Sequence, residues 1–194
     1  MCIRDSITGE PDGEPMKVGV AIVDVTTGLY AAIGILAALQ ARSATGRGQR
    51  VDANLLDSAA GWLVNVAANY LATGRPPGRY GNAHANIVPY QVFTAADGYL
   101  AVGVGNTAQW LRLCAAIERP DLAADARYTT SPGRLEHRGE LVSSVAATFA
   151  TRPVMEWVER IDRAGVPVGP INTIDRVFET PGLLSPSMVA TLPH

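Results

Sequence analysis

Residues 17–42, KVGVAIVDVTTGLYAAIGILAALQAR, hold a single carboxylate in a stretch that is otherwise almost entirely apolar. Water does not tolerate such a surface uncovered, so the fold has to provide cover for it. Its first part, 17–24, is short, Val/Ile-rich and bounded by turn residues, which predicts a buried strand of a sheet covered on both faces. From Gly28 to Arg42 the Ala, Leu and Ile content predicts a helix that is apolar on nearly every side and therefore buried. The run SATGRG (43–48) ends it, with Gly46 or Gly48 suited to the left-handed conformation that helix ends favour. Residues 49–57, QRVDANLLD, alternate at first and predict a second short strand. That strand leads into a helix through SAAGWLVNVAANYLATG, stopped near Gly74. Strand, helix, strand, helix is an α/β pattern and implies a parallel sheet.

The pattern changes after Gly74. GRPPGRYGNAHANIVP (74–89) is rich in Pro and Gly and reads as a linker or functional loop. YQVFTAADGYLAVGV places two strand-like runs around Asp97-Gly98, a hairpin signal. Helical patterns follow at 106–118, 136–150 and 153–164, the last with Pro153 in its first turn, and AGVPVGPIN (164–172) breaks them. The second part is therefore α+β. At the ends, MCIRDS (1–6) joins abruptly to a Gly/Pro/Asp-rich stretch and reads as a non-native leader. SMVATLPH (187–194) stops where a strand is starting, so the chain reads as a piece of a longer protein. The expected organisation is a leader at 1–6, a partial large domain at 7–73, a linker at 74–90 and a small domain at 91–194, truncated at its end.

A net charge of −2 and the lack of any basic run exclude an electrostatic footprint for nucleic acid or a membrane surface. Cys2 and Cys114 form neither a disulfide framework nor a metal-ligand spacing, and the histidines at 84, 137 and 194 have no ligand spacing either, so no metal is expected. Cys114, inside WLRLCAAI, reads as a small core residue, and His137 as solvent-facing. The apolar stretch Gly28–Ala41, broken by Gln40, falls short of the roughly 18 apolar residues of a membrane span. The expected location is the cytoplasm.

Candidate chemistry centres on Asp24. An acidic residue between strand and helix serves as a cap for orphan N–H groups at the positive helix end. The same physics, helped by the hydroxyls of Thr26 and Thr27, would keep a carboxylate ionised at the end of a parallel strand. α/β proteins put ligand sites there, and an ionised, partly desolvated aspartate can act as a nucleophile. Position alone leaves both readings open. TGRGQR (45–50) follows a helix rather than opening one, so it reads as a turn and not a phosphate loop. VDVTTGLY has only one glycine, which excludes a nicotinamide-dinucleotide turn. His84 lies in the Gly/Pro loop between Asn82 and Asn86, where solvated, structural and functional roles stay open.

The run EPDGEPMKVGVAIVDVTTGLYAAIGILAALQARSATGRGQRVDANLLDSA, followed in order by GNAHANIVPYQVFTAADGYLAVGVGN and AGVPVGPIN, resembles the class III CoA-transferase family. That family includes formyl-CoA and carnitine CoA-transferases and the 2-methylacyl-CoA racemases. The resemblance covers Ile7 to His194. It implies a Rossmann-like large domain, present here in part, with a smaller α+β domain, and interlocked homodimers of the full-length protein. It makes Asp24 the catalytic residue, attacking an acyl-CoA thioester to give an aspartyl anhydride and then an aspartyl–CoA thioester. Leu55 matches an apolar CoA-contacting position. HANI (84–87) falls where formyl-CoA transferases have a glycine-rich active-site loop. That glycine run is absent, which leaves Asn82, His84 and Asn86 as candidates for contacting the acyl group or acceptor. The partners implied are an acyl-CoA and a small carboxylic acid, with coenzyme A thioester as substrate and no permanently bound cofactor. DVTTG follows the transferase style. The alternatives are a 2-methylacyl-CoA racemase using the same aspartate as acid/base, and a non-catalytic CoA-binding relative. The piece alone is expected to expose a large apolar face and not to turn over.

Overall fold

A computed structural model describes residues 3–180 together with 189, 190 and 192. The expected strand over 187–194 thus lies outside the described residues, apart from those three positions. The chain divides into two compact units, Met1–Ala85 and Asn86–His194.

The first unit is helical among its described residues. A 3-10 turn at Ile3–Ile7 precedes α1 (Ile22–Thr45), α2 (Leu55–Gly61) and α3 (Val64–Thr73). Both strands predicted for this unit are corrected. Residues 17–21 are bends and irregular chain, Ile22–Asp24 enter the first turn of α1, and 47–54 run without a ladder up to α2. A strand exists only through hydrogen bonds to a neighbour, and neither segment finds one among the described residues. The parallel sheet expected from the α/β pattern is accordingly not formed there. The helix expected through 58–74 is also broken, into α2 and α3, with Val64 at φ 35°. The glycine stops do form: the N–H of Gly46 (φ 69°) bonds to the Arg42 carbonyl at the end of α1, and Gly74 (φ 68°) closes α3 in the same way on Tyr70. The 47–54 segment lies close against α1, since a Cβ on Gly34 would meet Val51 Cγ1 at 2.8 Å.

The burial expected for α1 is not met within this chain. Thr26 is its one buried residue, while Leu29, Ile33 and Leu36 are 59%, 63% and 66% exposed. At 24 residues, with mean hydropathy 1.9 over an 18-residue window, α1 is long and apolar enough by length and composition to cross a membrane. The sequence reading, confined to Gly28–Ala41, had set the stretch too short.

The second unit has a core. β1 (Tyr90–Thr94) and β2 (Tyr99–Gly103) form the expected hairpin around Asp97-Gly98, antiparallel with Thr94 opposite Tyr99. β3 (Val168–Pro170), which the Pro/Gly content had concealed, adds antiparallel to β2. The helices are α4 (Thr107–Ala116), α5 (Pro120–Ala124), α6 (Ser131–Glu136), α7 (Arg138–Phe149), α8 (Val154–Arg163) and α9 (Ile174–Glu179). α4, α7 and α8 correspond to the three helical patterns; α5, α6 and α9 are too short to show periodicity. Leu100, Trp110, Leu113, Leu141, Val145, Phe149, Trp157 and Ile161 form the fully buried centre. The Phe149 ring lies 5.0 Å from Phe93 and 5.4 Å, edge-on, from Trp157, geometry favourable to aromatic pairs. Trp157 Nε1 donates to the Phe149 carbonyl at 2.8 Å.

α8 shows how sequence pattern and tertiary contact combine. Val154, Trp157 and Ile161 face the core at positions i, i+3 and i+7. Pro153, the N-cap, offers no side-chain oxygen, so the hairpin turn supplies it: Asp97 Oδ1 accepts from Val154 N–H at 2.7 Å. On the outer face Glu118, beyond α4, pairs with Arg152 at 3.0 Å and with Arg160 at 2.5 Å. These guanidinium groups hold its carboxyl below the usual range.

Asp97→Ala should destabilise the second unit by about 1 kcal/mol through loss of this remote cap. Urea unfolding followed by tryptophan fluorescence checks it, and Asp97→Asn, which keeps an acceptor, should recover most of the loss.

Candidate active site

α1 begins with Ala21 as N-cap, with no side-chain capping bond. Asp24 is therefore the third helical residue, not the cap and not a strand end. Its carboxylate is exposed and, among the described residues, makes no hydrogen bond or ion pair. The hydroxyls expected to support it go elsewhere. Thr26 Oγ1 donates to the Ile22 carbonyl at 2.7 Å and Thr27 Oγ1 to Val23 at 2.7 Å, the back-bonding open to hydroxyls inside a helix. Asp24 thus sits within the first turn, at the positive end of the helix dipole. The arrangement leaves every oxygen lone pair of Asp24 open to an incoming group.

Leu55 opens α2 and is 52% exposed. It follows a capped turn rather than a strand. Asn54 (φ −139°, ψ 157°) accepts from Asp57 N–H at 2.8 Å, and its amide donates back to the Asp57 carboxylate. The sequence carried that signal as N-x-x-D before an apolar run, a relative of the capping box, and the strand reading missed it.

The 74–89 segment is irregular chain up to Pro89, and Val88–Pro89 is cis. Its beginning is fastened within the first unit: Gly81 N–H bonds to the Gly9 carbonyl at 2.9 Å, and Arg79 donates to the carbonyls of Glu10 and Gly13. Asn82 is exposed and His84 half-buried. Asn86 is exposed and belongs to the second unit. The candidates thus lie on three separate segments, and no bond among the described residues joins Asp24 to the others. A hollow of about 360 Å³ beside α1 is lined by Ile35, Leu39, Arg42, Gly48 and Val51. Ile35 is eleven residues beyond Asp24, about 16 Å along the helix.

Other nucleophiles and ligand sets fall away. Cys114 is a buried core residue, as expected, and burial pushes its thiol up to about 12. His137 is half-buried, not solvent-facing, and lies edge-on to Tyr128 with 6.4 Å between ring centroids. No group of His, Cys, Asp and Glu among the described residues could hold a metal ion. Arg134, which the sequence gave no reason to single out, is fully buried. Desolvation draws its pKa below the usual arginine value.

The description of CoA-transferase family III matches residues 4–194, and the chain belongs to that family. Succinyl-CoA:glutarate CoA-transferase of Mus musculus is 41% identical over 188 residues, which cover 97% of this chain and 43% of the relative. Succinate–glutarate CoA-transferase of Agrobacterium fabrum is 43% identical over 176 residues, covering 91% of this chain and 44% of the relative. Among solved structures, a CAIB/BAIF family protein from Brucella suis matches with TM-score 0.72 and 41% identity, over 92% of this chain and 47% of that one. Rv3272 from Mycobacterium tuberculosis matches with TM-score 0.78 and 27% identity, over 92% and 46%. The mixture of helices with a small sheet is thus that of CaiB/BaiF proteins, and the chain spans less than half the length of the relatives it matches.

Because a thiol with a pKa near 12 holds almost no thiolate at neutral pH, the Cys114 peptide should stay unmodified by iodoacetamide at pH 8 in the folded chain. It should become alkylated once the chain is unfolded in urea, as read by peptide mass mapping.

Proposed function

We propose that the full-length protein is a class III CoA-transferase, with Asp24 as its nucleophile. The observation that carries the reading is the state of Asp24: a carboxylate in the first turn of α1, exposed, without a partner among the described residues, and displaced from the capping position that would have tied up its oxygens. Family membership supports the transferase class, and the resemblance of the run around it points to Asp24.

The chemistry follows from the group. An Asp24 oxygen attacks the thioester carbonyl of an acyl-CoA and CoA leaves as thiolate, giving a mixed anhydride. The thiolate then attacks the aspartyl carbonyl, releasing the donor acid and leaving an aspartyl–CoA thioester. The acceptor carboxylate attacks that thioester and regenerates a mixed anhydride with loss of thiolate. Attack of the thiolate on the acceptor's carbonyl completes the exchange and frees Asp24. A carboxylate is a weak nucleophile in water, so rate depends on orientation and exclusion of solvent.

Relatives named for succinyl-CoA with glutarate or mesaconate support a succinyl donor and a small dicarboxylate acceptor. Leu55, Asn82, His84 and Asn86 are assigned to CoA, acyl group and acceptor. In the whole protein the 7–73 segment belongs to a Rossmann-like large domain in an interlocked homodimer, which covers the apolar sides of α1. That cover, rather than a bilayer, is the solvent proposed for the helix, and the enzyme is placed in the cytoplasm with no permanently bound cofactor.

Full-length protein incubated with succinyl-CoA and glutarate should transfer CoA and, after hydroxylamine or borohydride, carry a donor-dependent modification at Asp24 by mass spectrometry. Asp24→Asn should lose the adduct and at least a thousandfold in turnover, equivalent to about 4 kcal/mol of barrier. Asp24-dependent exchange of the substrate α-proton with deuterated water, without adduct, would replace transfer by racemisation.

A further inference from the structure

Arg134 is a charged residue with 0% of its surface exposed. No carboxylate pairs with it among the described residues, and its Nη2 has no protein acceptor. Burying an ion without a counter-ion costs several kcal/mol, so packing alone does not account for it at a position where an apolar side chain would be cheaper. What the guanidinium does there is specific. Nε donates to the Val88 carbonyl at 3.1 Å, and Nη1 donates to the Tyr128 carbonyl at 2.9 Å. Its carbon lies 5.6 Å from the Trp110 ring centroid, over an aromatic face that stabilises a cation. Charge-assisted bonds of this kind are the strong ones, and the planar fork of arginine holds two separated acceptors in fixed directions, which the single nitrogen of lysine cannot do.

The local sequence is built to seat it. Thr130 caps α6 by accepting from Gly133 N–H at 3.2 Å. A Cβ on Gly133 would stand 2.4 Å from the Arg127 carbonyl, so only glycine lets α6 settle onto the 126–128 turn and bring the next residue to Tyr128. Val88, 1% exposed, lies before β1 and outside the sheet ladder, so a side chain 46 residues away supplies the partner its buried carbonyl requires. The following carbonyl, Pro89, is taken by Val104 N–H at 2.9 Å. Two residues upstream of Val88 is Asn86.

We infer that Arg134 is a positioning residue of the transferase: bonded to the Tyr128 carbonyl by one arm, it holds the Asn86–Pro89 segment through the Val88 carbonyl by the other and thereby sets Asn86 for the acceptor acid. The assignment to the acceptor rests on the function proposed above; the fixing of the segment does not.

The test uses full-length protein with Arg134→Met, which keeps the apolar stem, and Arg134→Lys, which keeps the charge without the fork. Hydrogen–deuterium exchange should be about tenfold faster at 86–89 in both variants, with the buried amides of α7 and α8 unchanged. With succinyl-CoA and glutarate, KM for glutarate should rise about tenfold while kcat and KM for succinyl-CoA hold. Unchanged protection at 86–89, or equal loss of protection in α7 and α8, overturns the inference. So does restoration by Arg134→Lys, because charge alone would then suffice. A loosened segment with unaltered glutarate KM overturns the role assigned to Asn86. If the wild-type enzyme transfers no CoA, the functional reading falls, while the exchange measurement still decides whether Arg134 holds the segment. Should Arg134→Met not fold, Gly133→Ala, which lifts α6 from its turn, is read in the same way.

Discussion

A backbone polar group taken out of water must find a partner, and in the second unit that requirement is met repeatedly by side chains from other elements, some of them far away in sequence. Asp97 caps α8 across 57 residues, Trp157 closes the Phe149 carbonyl at the end of α7, and Arg134 takes the carbonyls of Val88 and Tyr128. Each ties the end of a helix, or the chain just before a strand, to another part of the unit. The helices here are short, five to twelve residues, and would be marginal alone. These end-to-body bonds, laid over the aromatic layer of Phe93, Phe149 and Trp157, decide where each helix stops and how it meets the sheet.

The first unit shows what happens when the same requirement is met locally and burial is not. α1, α2 and α3 satisfy their own backbones, with Gly46 and Gly74 closing two of them. Yet α1 presents Leu29, Ile33 and Leu36 to solvent. Fully burying such side chains stabilises by about 1.5–3 kcal/mol each. A helix carrying this apolar load has its stability in whatever covers it, which is why the proposed function places it in a larger assembled enzyme.

The limits of reading the sequence follow from the same division. Elements whose signals are local were legible: the hairpin at Asp97-Gly98, the amphipathic period of α8, and the glycine stops of α1 and α3. Elements that need a partner were not. Residues 17–24 and 49–57 have the composition of strands, but composition supplies no neighbouring strand, and the first of them yields its last three residues to α1. β3 went unseen because a three-residue strand with glycine and proline has no period; it exists through its pairing with β2. At the site, family resemblance pointed to Asp24, whereas its place in the helix, the direction of the Thr26 and Thr27 hydroxyls and the role of Arg134 required coordinates. Nothing in SPGRLEHRG marks Arg134 as buried rather than solvated, since burial there depends on Trp110, Val88 and Tyr128 from elsewhere in the chain.

The placement of Asp24 removes one of the two readings open in the sequence, since Ala21 and not Asp24 is the cap of α1. As a cap, its oxygens would accept helix N–H groups, which stabilises the helix and makes those lone pairs poorer donors to an electrophile. Three positions further in, as the third helical residue, it stays within the first turn without surrendering its lone pairs to helix N–H groups. Thr26 and Thr27, two and three residues on, give their hydroxyl protons to the Ile22 and Val23 carbonyls and not to Asp24. A capping aspartate is made quiet by its helix. An aspartate at this position is left, among the described residues, without a hydrogen-bond partner.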